Sequence, residues 1–130
     1  MTRDDRNIWT GVTYADPLAG RAWLAALGFE EGICVPGATA GSVMHSEMLW
    51  PEGGRVMVVS GTNDLHTGER PGSSFCYVVT ADPDAVHAKA EALGATVTRP
   101  LEDTDYGSRG FSLSDPEGNG WSFGTYAGED

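Results

Sequence analysis

His45 and Glu47 stand two positions apart in the run VMHSEML. Alternate residues of a strand share a face, so this spacing sets an imidazole beside a carboxylate. Such a couple could move a proton, pair with a ligand cation, or contribute two donors to a divalent ion; a structural hydrogen bond or an exposed strand face is the plainer use of the same residues. The remaining histidines promise less. His66 lies in a polar loop and His87 on a helix face, and both read as surface residues. Cys34 and Cys76 each sit in an apolar, strand-like run and read as buried free thiols, not as a disulfide framework or a zinc cluster. Arg109 is expected to pair with Asp115 or another carboxylate and so hold the last hairpin, while Glu102, Asp103 and Asp105 form an acidic loop ahead of Tyr106.

The elements that must position these groups are written twice. "ADPLAGRAWLAALG" from Ala15 and "ADPDAVHAKAEALG" from Ala81 agree at Ala15, Asp16, Pro17, Ala19, Ala22, Ala26, Leu27 and Gly28 at an offset of 66. Self-similarity at a fixed offset implies two copies of one module. In each copy an Asp can cap the first amides, a Pro sits at the first helical position, and a Gly can take the left-handed conformation that stops the helix. Leu24 and Leu27, and then Val86, Ala90 and Leu93, form apolar stripes at helical spacing. Strand-like runs flank both helices: 8–14, 29–35, 43–50 and 55–60 in the first copy, and 75–80, 96–99, 110–114 and 121–125 in the second. A second echo, Trp50-Pro-Glu-Gly against Asp115-Pro-Glu-Gly at an offset of 65, precedes each final strand. The order is therefore strand, helix, strand, strand, strand, twice. Residues 7–60 form the first module, the turn-rich stretch 61–72 the connection, and 73–126 the second module of a single α+β domain.

At the same offset, Phe111 and Leu113, which ought to pack beneath the helices, match Ser46 and Met48. His45 and Glu47 should then point the other way. Trp23, Trp121 and Phe123 are expected in the helix-side core.

Nineteen acidic against eight basic side chains give a net charge of −11. That balance repels nucleic-acid phosphates and anionic membrane surfaces and draws in cationic small molecules. No window approaches a membrane span, and the start MTRDDRNIW lacks the layout of a signal peptide, so the expected compartment is the cytoplasm.

The paired modules, the Asp-Pro-capped helix ending in Ala-Leu-Gly before Phe29, His45-Ser-Glu47 ahead of a Gly-Gly turn, and above all YGSRGFSLSDPEGNGWSFGTY from Tyr106 to Tyr126 resemble the vicinal oxygen chelate superfamily. That group holds glyoxalase I, extradiol dioxygenases and bleomycin resistance proteins. The resemblance implies two tandem βαβββ modules that curl into an incompletely closed mixed-sheet barrel around a cleft, and a homodimer. Metal enzymes of this kind take two ligands from each module, one on the first strand and one on the fourth. The corresponding positions here are Trp9 and Phe75, each seven residues before the capping Asp16 or Asp82, with Ser122, seven after Asp115, and Met57, 65 before that.

Indole, phenyl, thioether and neutral hydroxyl make a poor ligand set for a hard or borderline divalent ion. The resemblance therefore implies a cleft without a metal or other cofactor, lined by Trp9, His45, Glu47, Met57, Phe75 and Ser122 and suited to flat, ring-bearing ligands. The expected function is a metal-independent small-molecule binding protein that sequesters a cationic or aromatic antibiotic. The alternative is a metal-dependent lyase, isomerase or dioxygenase with a divergent site using His45 and Glu47 as ligands or as an acid/base pair. A scaffold whose cleft is filled by its own side chains is the third reading.

Overall fold

Two aspartates start the two helices. The side chain of Asp16 accepts from the Ala19 amide at 3.2 Å and that of Asp82 from the Ala85 amide at 3.1 Å, and each is followed by a proline whose missing N–H costs no helical bond. Gly28 (φ 135°) and Gly94 (φ 68°) turn the chain out of the helix at the far ends. A computed structural model describes residues 8–61 and 70–129. Within them the elements run β1 (Thr10–Tyr14), α1 (Pro17–Leu27), β2 (Glu30–Pro36), β3 (Val43–Leu49), β4 (Arg55–Ser60), β5 (Phe75–Val79), α2 (Pro83–Ala92), β6 (Thr96–Asp103), β7 (Arg109–Ser114) and β8 (Gly120–Gly124).

Each βαβββ unit makes its own four-stranded mixed sheet, ordered β1-β4-β3-β2 and β5-β8-β7-β6. In both, the first and last strands pair in parallel and the rest antiparallel, as a helical crossover followed by hairpins requires. Among the described residues no ladder joins the two sheets, so the barrel is open. One core nevertheless serves both halves. Val12, Tyr14, Leu24, Leu27, Met48 and Val58 meet Val86, Ala90, Phe111, Leu113, Trp121 and Phe123 in a single buried cluster, and Phe29 bridges them, 4.8 Å from the Trp50 ring and 5.5 Å from Trp121. Trp23 is only partly buried, packed on the outside of this cluster.

The Pro-Glu-Gly echo proves to be the clasp between the halves. Glu117, in the β7–β8 turn, accepts from the amides of Ala15 and Asp16 at 2.6 and 2.8 Å, at the start of α1. Glu52, in the β3–β4 turn, accepts from the Ala81 amide at 2.8 Å, beside the start of α2. The Glu52 carboxyl is held below the usual carboxylate range by bonds from the Thr80 hydroxyl and the Ala81 amide. Beside Glu117, the buried Asp115 accepts from the Tyr14 hydroxyl at 2.6 Å, Trp121 Nε1 at 3.1 Å, Asn119 Nδ2 at 3.2 Å, and the amides of Glu117 and Asn119.

Of the carboxylates open to Arg109, the structure gives it Asp84, at 2.8 and 3.0 Å, and Asp103, at 3.3 Å, and not Asp115. Several other sequence expectations are corrected here. Strand β6 continues through Pro100 to Asp103, so Glu102 and Asp103 belong to a strand and not to a loop; an edge strand tolerates proline. Cys34 is exposed, since β2 is also an edge strand, whereas Cys76 is buried, and desolvation pushes its thiol up to about 11. His87 is half buried, its ring edge-on to Phe111 at 4.9 Å. His66 lies outside the described residues.

Because bonds to a charged acceptor contribute about 1.5–3 kcal/mol each at most and less near solvent, Glu117→Ala, which frees two amides, should lower unfolding stability by about 2 kcal/mol. Glu52→Ala should cost about half as much. Urea denaturation midpoints check the order.

Candidate functional site

Alternation along the strands decides what faces where. On β3 and β4, Ser46, Met48, Val56 and Val58 are buried, the last three in the helix-side core, so His45, Glu47, Arg55 and Met57 face the opposite, concave side. Met57 lies directly across from Glu47 on one side and Gly11 on the other, and Trp9 comes one alternation before Gly11. Trp9, His45, Glu47 and Met57 thus share one face of the first sheet.

The charges on that face are already spent on each other. His45 Nε2 lies 2.7 Å from Glu47 Oε2, and Arg55 Nη1 donates to Glu47 Oε1 at 2.7 Å. The Glu47 carboxyl is held below the ordinary carboxylate range, first by the His45 bond and then by Arg55, against the opposing effect of burial. The Arg55 guanidinium also lies over the Trp9 indole, 5.2 Å from the ring centre. Glu47 is therefore a compensated anion, not the open anchor for a ligand cation that the sequence suggests. Arg55 escapes sequence reasoning, although its period-two spacing with Met57 places it on the same face.

A second arginine sets the backbone beneath. Arg21, buried on α1, donates to the carbonyls of Gly32 at 3.0 Å, Glu47 at 3.1 Å and Ile33 at 3.4 Å. Gly32 and Ile33 fall in the register shift between Glu31 and Cys34, where the bulge turns two carbonyls away from the ladder. A side chain at Gly32 would collide with Leu49 and the Glu47 carbonyl.

Phe75 and Ser122 belong to the second sheet. Cys76 and Val78 pack on the core, which leaves Phe75, Tyr77 and Val79 on the concave side at 66%, 45% and 43% exposure. Ser122 lies across from Tyr77, and its hydroxyl is 2.6 Å from that of Ser112. The six predicted pocket residues thus divide between two separate sheets. A cavity of about 940 Å³ opens along the β5 edge, lined among others by Ile8, Phe29, Trp50, Arg55, Phe75 and Tyr77. Of the six, it takes only Phe75. Among the described residues, no three His, Cys, Asp or Glu side chains converge as a metal site would require, and no helix is long and apolar enough to cross a membrane.

The model of the Glyoxalase/Bleomycin resistance protein/Dioxygenase superfamily matches residues 9–123. The chain belongs to this superfamily. Among solved structures it is similar to TioX from Micromonospora sp. ML1, with a TM-score of 0.75 and 26% identity over 90% of this chain and 95% of that one. It shares its fold with TnmS3, an antibiotic binding protein from Streptomyces sp. CB03234, with a TM-score of 0.71, 20% identity and coverage of 95% and 94%. Lactoylglutathione lyase from Agrobacterium tumefaciens follows, with a TM-score of 0.66, 16% identity and 95% of each chain covered. No curated protein sequence matches it. The superfamily thus reaches this chain through a fold that both a binding protein and a lyase share.

A carboxyl whose native pKa is depressed adds stability above its unfolded pKa, near 4.3, and loses it as pH falls through the native value. Glu47→Gln should therefore lower stability by about 1 kcal/mol at neutral pH, with the deficit shrinking as the wild-type carboxyl protonates in the acid range. Urea midpoints of both proteins across the acid range measure this.

Proposed function

We propose that the chain is a metal-independent binding protein that holds a flat, ring-bearing small molecule against its concave sheet faces. The observation carrying this reading is what stands at the four positions where metal enzymes of the superfamily place their ligands. Trp9 and Phe75 offer rings without a donor lone pair, Met57 a soft thioether, and Ser122 a neutral hydroxyl engaged with Ser112. This set does not fit a divalent ion, and without a Lewis acid the superfamily's principal chemical device is gone. Ring surface takes its place. Stacking adds about 0.5–1.5 kcal/mol per aromatic pair beyond area burial.

The net charge of −11 favours a cationic ligand at long range. Since Glu47 is bonded to His45 and Arg55, the close contact for that charge is with ring faces. TnmS3 supports an antibiotic as the ligand, while the lyase of similar fold means that the choice rests on side chains and not on architecture. A metal enzyme built on His45 and Glu47 has less support, because the two side chains are bonded to each other and Glu47 is also bonded to Arg55. The same exposed rings make a second copy of this chain a fitting cover for each face, giving a homodimer. The exposed Cys34 thiol suits the reducing cytoplasm.

Titration with planar cationic dyes such as proflavine, read by tryptophan quenching, should give dissociation constants below about 1 mM, which corresponds to roughly 4 kcal/mol of binding. Dialysis against EDTA should leave them unchanged. Phe75→Ala or Trp9→Ala should weaken binding by about two- to tenfold, the loss of one stacking contact. A stoichiometric Ni, Zn, Mn or Fe ion that is lost in Glu47→Ala would overturn the reading.

A further inference from the structure

Four concave-side residues of the second module lie in one row across all four strands. Tyr77 on β5 is the direct partner of Ser122 on β8, Ser122 of Ser112 on β7, and Ser112 of Arg99 on β6. The row is hydrogen bonded: Arg99 Nε donates to Ser112 Oγ at 3.3 Å, and the two serine hydroxyls lie 2.6 Å apart.

Proton counting fixes the direction of the first bond and the number of protons left to the second. A guanidinium only donates, so Ser112 Oγ accepts from Arg99. Two hydroxyls carry two protons, and the Ser112–Ser122 bond uses one of them. Either hydroxyl can donate in that bond. When the buried Ser122 donates to the half-buried Ser112, both lone pairs of Ser112 are taken, and its own O–H points outward. Beside it stand the other guanidinium donors of Arg99, whose side chain is 40% exposed and meets Glu102 at 3.4 Å. Tyr77 closes the other end, its hydroxyl donating to the Tyr126 carbonyl at 2.7 Å while its ring stays half exposed.

From this row, which rests on the proposed ring-binding function, we infer the class of ligand: a ring carrying a hydrogen-bond acceptor oxygen, received by Ser112 and Arg99 while the ring lies on Tyr77 and Phe75. The row holds donors and no anion of its own. The position where metal enzymes of the superfamily place a ligand thus contributes here, through Ser122, to a site of opposite polarity, one that binds oxygen directly. A carbonyl suits it better than a carboxylate, since Glu102 and the chain's net charge of −11 oppose a full anion.

An isosteric pair of probes separates this inference from the reading beneath it. Acetylnaphthalene and ethylnaphthalene differ in one carbonyl oxygen; naphthoate adds the anionic case. The wild-type chain should bind acetylnaphthalene about five- to tenfold more tightly than ethylnaphthalene, the range expected for one net hydrogen bond, with naphthoate between them. Ser112→Ala should erase that preference while changing ethylnaphthalene affinity less than about twofold, and Ser112→Thr, which keeps the hydroxyl, should restore it. Equal affinity for the two probes in the wild type, or a preference that survives Ser112→Ala with the fold intact by circular dichroism, overturns the inference alone. Failure of the wild type to bind any of the three rings while it binds proflavine overturns the inference alone; failure with proflavine as well overturns both it and the proposed function.

Discussion

Two carboxylates reaching across the duplication hold everything else in place. A single module, one helix on four strands, is too small to bury its own aromatic rings; Phe29 and Trp50 need Trp121 and Phe123. Glu52 and Glu117 fix how those surfaces meet, because each sits in the tight turn of its own sheet and binds amides at the start of the other module's helix. An anion at a helix N-terminus is favoured by the aligned peptide dipoles as well as by the unpaired N–H groups. The clasp is therefore reciprocal, and moving either turn moves a helix, the sheet beneath it and the concave face beyond.

Asp115 shows how far the structure goes to keep that joint. It is a buried carboxylate with no cation beside it among the described residues, and it is tolerable because five donors surround it. One of them, the Tyr14 hydroxyl, comes from the other module. Burial, and then the bond to Asp115, push that phenol well above its usual pKa of 10.0. It remains a donor at any ordinary pH.

What could be read from the sequence was local or periodic. The two capped helices, their glycine stops, the strand alternation that turns His45 and Glu47 away from Ser46 and Met48, and the superfamily itself all follow from residues near one another in the chain or from the repeat. What escaped was long-range. Glu117 meets Ala15 across 102 positions, and a glutamate in a Pro-Glu-Gly turn carries no mark that separates a clasp from a solvated side chain. Arg55 and Arg21 were missed for a related reason, since a lone arginine on a strand or helix reads as surface until its partners are known. The division of the six pocket residues between two sheets was likewise illegible, because pseudo-equivalence under the repeat says that two positions match, not that they face one cavity.

Duplication also explains why the two concave faces ended with different chemistry. The first carries Glu47 and Met57 side by side and the second, at the equivalent places, Ser112 and Ser122. On the first face a carboxylate sits between an imidazole and a guanidinium, so its charge is closed off. On the second an arginine donates to Ser112, whose hydroxyl also meets that of Ser122, so donor capacity is left over. Trp9 and Phe75 keep the same kind of surface in both copies, whereas the polar residues diverge in sign. A ligand that stacks can use either face, but one that is also oriented must use the difference between them. On the proposed binding function, selectivity therefore resides in the rows where the two copies disagree.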